Sequence, residues 1–204
     1  SCMKKNILII GSNSLIGNDL RCLDLSAYNL YFTSRKSEHS ECSRNIIKYD
    51  LEDKKKLKLD IEFEWCIYLA DLPLIKGLFN SGIKFNNLIA FSTSSVLTKV
   101  NSSHIKDKNL LEEFTNAENL LVKQCNYQKF GCYVFRPTLI YSLGNDKNVT
   151  VINNFIKKYK FFPKIGNFTG LRQPIASSCL AQLIRNAISK QPSPGFVKFY
   201  QVAG

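Results

Sequence analysis

Asn6-Ile-Leu-Ile-Ile-Gly-Ser-Asn-Ser-Leu-Ile-Gly17 is the stretch whose reading decides the fold. Ile7 to Ile10 is apolar at every position, the pattern of a central parallel strand covered on both faces. Gly11 then permits a tight turn, and Gly17 lets the following helix approach the strand closely. Between the glycines, backbone N–H groups and the start of a helix make a seat for a pyrophosphate. That places Gly11, Asn13, Ser14, Leu15, Ile16 and Gly17 as candidate cofactor-binding residues. The middle glycine of the usual fingerprint is Ser14 here, so an ordinary strand–helix turn accounts for the same residues equally well.

Outward from this unit, short apolar runs alternate with amphipathic helical stretches. Leu30-Tyr-Phe-Thr33 reads as a second strand, Asn45 to Tyr49 as a third, Trp65 to Ala70 as a fourth and Asn87 to Ser92 as a fifth. A helix over Asn109 to Gln128 follows, with Leu110, Leu111, Phe114, Ala117, Leu120 and Leu121 on one face. Cys132 to Arg136 is a further strand. Strands alternating with helices imply parallel pairing through right-handed crossovers, and hence an α/β fold with a Rossmann-like, doubly wound parallel sheet.

The residues after the second strand bear on the cofactor. An acidic side chain there would bind the ribose hydroxyls of NAD. The chain instead has Thr33-Ser-Arg-Lys36, with hydroxyls and two cations but no carboxylate. Arg35, flanked by Ser34 and Lys36, is placed to clamp a 2′-phosphate through charge-assisted hydrogen bonds, so NADP is preferred and NAD is the alternative. A solvent-exposed basic loop is the competing reading.

Composition narrows the classes. With 204 residues the chain is long enough for one well-buried domain. Ser1-Cys2 ahead of Met3 reads as a cloning remnant, leaving 3–204 as a single dinucleotide-binding domain with small substrate-side elements after about residue 142. No run is long and apolar enough to span a membrane. Seven scattered cysteines without CxxC spacing favour reduced thiols in a cytoplasm over disulfides or zinc. Cys66 and Cys132, inside apolar strands, read as packing residues, as does Trp65. The net charge of +12 invites a nucleic-acid reading, but neither basic cluster has a recognition signature beside it. Those clusters, Lys54 to Lys58 in a helix-like stretch and Lys157 to Lys160 in another, read as solvated surface. His39 and His104 are too isolated for a metal site or a triad, although His104 falls near the expected mouth of the site.

Five segments in order carry a resemblance: Gly11 to Gly17, Asp50-Leu51, Leu69-Ala70, Phe91-Ser-Thr-Ser-Ser-Val96 and Arg136-Pro-Thr-Leu-Ile-Tyr141. Phe161 to Gly166, Gly170 to Pro174 and Leu180-Ala181 continue it. Together they resemble the extended short-chain dehydrogenase/reductases, and within them the NAD-dependent epimerase/dehydratase group that acts on nucleotide sugars. The resemblance implies that Asp50 and Leu51 border the adenine, and that Leu69 and Ala70 pass under the pyrophosphate and ribose. Ser92 would touch the cofactor and Pro137 would wall the nicotinamide. Thr93 would hydrogen-bond the substrate's reacting oxygen, with Ser94 and Tyr141 as further catalytic candidates. Arg172 matches an arginine that holds the substrate diphosphate, and a homodimer paired through helix faces such as Leu120-Leu-Val122 is implied as well.

The departures matter as much. The family carries a Tyr-x-x-x-Lys pair on the helix after the fifth strand, whose tyrosine exchanges a proton with substrate. Counting back from Ala117-Glu118 puts Leu110 at the tyrosine and Phe114 at the lysine, and no tyrosine lies between Tyr68 and Tyr127. Lys106 and Lys108 lack a tyrosine partner. Ala176-Ser-Ser-Cys179 stands where relatives carry His-x-Asp-Asp, and Tyr200 to Gly204 falls where they enter a last strand. Two functions therefore stay open. One is an NAD(P)-dependent nucleotide-sugar epimerase, dehydratase or ketoreductase, as in bacterial surface-polysaccharide synthesis. The other is a catalytically silent dinucleotide-binding module.

Overall fold

β1 (Lys5–Ile10) sits at the centre of the molecule, its last four residues buried. The computed structural model describes residues 3–35, 45–53, 55–94, 105–138, 140–141 and 175–203, with the backbone alone at 105–108 and 141. After β1 come α1 (Leu15–Arg21), β2 (Tyr28–Ser34), β3 (Ile46–Lys48) and β4 (Glu62–Tyr68). A 3-10 turn (Leu72–Leu74) leads into α2 (Ile75–Asn80), then β5 (Lys84–Phe91), α3 (Ile105–Gln128) and β6 (Gly131–Pro137). β7 (Ile140–Tyr141), β8 (Ile175–Ala176), α4 (Ser177–Ala187) and β9 (Val197–Val202) complete the described elements.

Seven strands form one sheet in the order β3-β2-β1-β4-β5-β6-β9, and every pairing is parallel. β7 and β8 make a separate parallel pair. Strand order reverses at β1, which pairs Ile7 with Leu30 on one side and with Trp65 on the other. Side-chain alternation sends Ile7 and Ile9 to one face and Leu8 and Ile10 to the other. The first face is covered by α1 and α4 through Ile16, Leu20, Leu180 and Ile184. The second is covered by α2 and α3 through Ile75, Leu78, Ala117 and Leu121. The doubly wound sheet expected from the sequence is the fold observed.

Boundaries differ from the apolar runs for one physical reason. Ladder hydrogen bonds continue into polar residues at the amino ends of strands, so β2, β4 and β5 begin at Tyr28, Glu62 and Lys84, earlier than expected. Asn29 and Asn6 continue such a ladder with a side-chain bond of 3.1 Å. Trp65 is core, its ring stacked on Tyr133 at 6.1 Å. β9, read as lying at the chain's end, is the seventh strand, beside β6.

Three expectations are corrected. The described part of Lys54 to Lys58 forms no helix, and Leu57 N–H donates to Ser81 O at 2.8 Å instead. Leu110 shares the angular face of Leu121 but is 54% exposed. The 24 residues of α3 span about 36 Å, against about 26 Å for β5, so the helix is longer than the strand can cover. Leu121, expected on a dimer face, is buried against the sheet, while Val122 is exposed. Among the described residues no helix is long and apolar enough to cross a membrane.

Candidate functional site

The reversal of strand order opens a cleft of about 840 Å3 at the carboxyl ends of β1 to β4, the place where such sheets hold ligands. Its walls are the turn Gly11 to Ser14, Thr33 to Arg35 after β2, Tyr49 to Glu52 after β3, and Leu69 to Asp71 after β4. Nine candidates named from the sequence thus meet in one cavity: Gly11, Asn13 and Ser14 from the first turn, Ser34 and Arg35, Asp50 and Leu51, and Leu69 and Ala70.

The turn is fixed by contacts that only glycine allows. Gly11 has φ +78°, and a Cβ there would lie 2.6 Å from Ala70 N and 2.7 Å from Leu69 C. At Gly17 a Cβ would lie 2.3 Å from Ser12 O. Ser14 caps α1: its Oγ accepts the Gly17 N–H at 3.1 Å. Ser14 N–H donates to Gly11 O at 3.0 Å. Those two N–H groups are therefore committed within the protein. Leu15, Ile16 and Gly17 do not line the cleft; Ile16 packs in the core with Ile7 and Leu20.

On the opposite wall, Arg35 is exposed, and no hydrogen bond or ion pair holds it among the described residues. The loop after β3 is pinned from below. Tyr49 donates its hydroxyl to Gly77 O at 2.7 Å, and burial raises its pKa. Asp50 Oδ1 accepts the Glu52 N–H at 3.1 Å. A Cβ on Gly77 would lie 2.0 Å from Leu51 O, so α2 can approach this loop only through glycine. After β4, Tyr68 donates to Asp71 O at 2.9 Å and burial pushes its phenol well up, so it stays protonated.

Of the expected catalytic residues, Thr93 and Ser94 follow the end of β5, outside the cleft's lining. Ser92 N–H donates to Phe135 O at 2.8 Å, and Ser94 N–H to Pro137 O at 3.1 Å. Residues 92–94 and Pro137 are thus brought together beyond β5 and β6. Ser92 Oγ is buried with no hydrogen-bond partner among the described residues. At Tyr141 only the backbone is described, paired with Ala176. Lys36, His39, His104, Lys157 to Lys160 and Arg172 lie outside the described residues.

Three polar contacts near the site escaped the sequence reading. Arg136 of β6 forks onto Glu118 of α3, Nε to Oε1 at 3.0 Å and Nη2 to Oε2 at 2.5 Å, with its guanidinium 4.2 Å over the Phe199 ring. The signal was present, since Arg136 interrupts an apolar strand and Glu118 sits between Ala117 and Leu121 on the inward face. Ser177, at the start of α4, donates to Asp19 Oδ2 of α1. Arg21 binds the glycine turn itself, through Ser12 and Asn13. Cys66 and Cys132 are buried as expected, and burial raises both thiols. Among the described residues no cluster of His, Cys, Asp and Glu could hold a metal ion.

No known family profile matches the sequence, and no curated protein does so either. Solved structures do match over nearly the whole chain. UDP-glucuronic acid 4-epimerase from Bacillus cereus, solved with NAD, superposes with a TM-score of 0.67 at 17% identity, covering 98% of this chain and 78% of that one. UDP-N-acetylglucosamine 4-epimerase from Methanobrevibacter ruminantium, solved with UDP-N-acetylmuramic acid, gives 0.62 at 17% identity, over 98% and 77%. RMD from Pseudomonas aeruginosa, solved with NADPH, gives 0.62 at 14% identity, over 98% and 77%. At these identities the likeness shows the fold: this chain is built on the Rossmann-like sheet that nucleotide-sugar epimerases use.

Proposed function

We propose that the chain is an NAD(P)-dependent protein of the nucleotide-sugar epimerase, dehydratase or ketoreductase kind, serving surface-polysaccharide synthesis. The observation that carries this is the cleft at the strand reversal, where residues from four separate loops meet on one cavity. Its size lies within the usual range for small-molecule and cofactor sites, roughly 300–1,000 Å3. Structural neighbours solved with NAD or NADPH support a nicotinamide dinucleotide as occupant. The lining fits it: the Gly11 to Asn13 turn for the pyrophosphate, Asp50 and Leu51 for the adenine, and Leu69 and Ala70 beneath the ribose. Arg35, with no carboxylate beside it at the end of β2, favours the 2′-phosphate of NADP.

When bound, the nicotinamide supplies the hydride donor or acceptor. The chain's own contribution to the substrate is Thr93, whose hydroxyl would hold the reacting oxygen, and Arg172, whose guanidinium would hold a diphosphate. A second reading, a dinucleotide-binding module without turnover, is favoured by Leu110 and Phe114. By the sequence count these apolar side chains would stand at the positions of the family's tyrosine and lysine, and Leu110 is exposed.

Calorimetric titration of the protein with NADPH, NADP, NADH and NAD at low salt tests the proposal. Micromolar binding with the phosphorylated forms tighter is expected. Absence of binding by all four sinks both readings. Binding without conversion of any nucleotide sugar in a panel, read by product analysis because epimerisation and dehydration leave the cofactor unchanged overall, selects the silent module.

A further inference from the structure

The turn between β1 and α1 carries three side-chain acceptors, and a donor of the protein holds each one. Ser14 Oγ takes the Gly17 N–H. Ser12 Oγ, which is buried, takes Nη2 of Arg21 at 2.9 Å, and Asn13 Oδ1 takes the same nitrogen at 3.3 Å. Arg21 is itself fixed from the far side, its guanidinium lying 5.2 Å over the Phe32 ring of β2. An oxygen lone pair facing a phosphate repels it, so tying these oxygens to donors changes what the turn offers an anion.

Asn13 is the member of this set that is exposed and lines the cleft. A guanidinium has donors only, so Arg21 can pair with the Oδ1 end of the Asn13 amide and not with its nitrogen. The contact thereby selects one of the two amide orientations, which are otherwise distinguished only by their bonding partners. The two hydrogens on Asn13 Nδ2 have no partner among the described residues.

We propose that Arg21 is a positioning residue that fixes the Asn13 amide as a donor to a phosphate group in the cleft. A polyphosphate ligand would then be recognised through the Asn13 side chain, in a turn whose middle glycine is replaced by Ser14. This rests on reading the cleft as a nucleotide site.

The test uses the full chain and two probes, inorganic pyrophosphate and ADP-ribose. In the 15N-labelled protein the Asn13 Nδ2 resonances, identified by their loss in Asn13→Ala, shift on addition of pyrophosphate; in Arg21→Ala they do not. By calorimetry each single variant binds ADP-ribose about tenfold more weakly, and the double variant binds no more weakly than Asn13→Ala alone. Arg21→Lys, which keeps the charge but loses the planar guanidinium seated over Phe32, behaves as Arg21→Ala. Losses that multiply in the double variant, or Asn13 shifts that persist without Arg21, overturn the proposal, because a residue that only packs would give those results. If ADP-ribose binds wild type and variants alike, this inference falls and the cofactor reading stands. If pyrophosphate moves Asn13 in an Arg21-dependent way while ADP-ribose fails to bind, the cofactor reading falls and this one stands. No response to either probe overturns both.

Discussion

Gly11 combines a left-handed backbone with contacts to the peptide between Leu69 and Ala70, neither of which can move without displacing β4. Gly11→Ala should therefore destabilise the protein by more than about 2 kcal/mol in urea unfolding, from the left-handed φ and the clash together. A loss under 1 kcal/mol, within the range of a surface change, would show that the turn relaxes freely. Under the proposed function, Arg35 would be the residue that decides cofactor choice. Arg35→Ala should weaken NADP about tenfold or more while leaving NAD within about twofold, because only NADP presents a dianion to the guanidinium. Equal losses would remove the 2′-phosphate assignment. Both residues were legible in sequence, one as a turn glycine after four apolar residues and the other as a cation where a carboxylate was awaited. Lys129, which also adopts a left-handed φ of 62°, gave no such sign. It closes α3 where glycine is the usual residue, with its N–H bonded to Cys125 O.

At the scale of elements, α3 and β6 are joined by a charge pair whose side chains are 8% and 14% exposed, Glu118 and Arg136. Such a pair need not stabilise relative to apolar residues, but removing one partner strands the other. Glu118→Ala should cost about 3–5 kcal/mol, and Arg136→Ala in the same background should cost much less than it does alone. Additive losses would show that the two charges act independently. At the opposite edge, Glu64 ties β4 to its surroundings. Burial raises its pKa, but Lys5 at 3.0 Å, Asn86 at 3.2 Å and Gln191 at 2.6 Å outweigh that and hold it below the usual carboxylate value. A folded-state value below the unfolded one adds stability that is present above about pH 4.3, where the unfolded glutamate ionises. That stability is lost as pH falls through the lower folded value. Glu64→Gln should flatten the acid limb of the stability profile, and an unchanged limb would place the acid sensitivity elsewhere. The sequence marked Arg136 and Glu118 as charges on buried faces but not as each other's partners, and it gave no sign of the Glu64 network, since apolar runs report burial and say nothing about which polar group meets which across a sheet. The same limitation clipped the polar starts of β2, β4 and β5.

For the molecule as a whole, the half of the site built by β1 to β4 was readable because each wall follows its own strand within a few residues. The half beyond β5 and β6 depends on how distant segments meet, which local pattern does not encode. The cysteines show the same division between local and global information. Their spacing favoured reduced thiols over a disulfide framework, and the strand pattern marked Cys66 and Cys132 as packing residues, but the fold adds Cys125 to the buried set. Cys66 and Cys132 on β4 and β6, with Cys125 on α3, share the buried layer between the sheet and α2–α3, whereas Cys22 and Cys179 are exposed. Burial pushes the Cys125 thiol up to about 11, and its Sγ donates to Phe130 O at 3.0 Å. A thiol reacts as thiolate, so at pH 8 the buried three are both protonated and screened. Peptide mapping after brief alkylation of the native protein should therefore label Cys22 and Cys179 and spare Cys66, Cys125 and Cys132. Because β4, β6 and α3 bury one shared core, labelling of those three should begin together, at the urea concentration where the helical signal is lost. If Cys125 were labelled well before Cys66, α3 would be opening away from the sheet as a separate unit, and the turn that carries the exposed Leu110 would be the place where that opening starts.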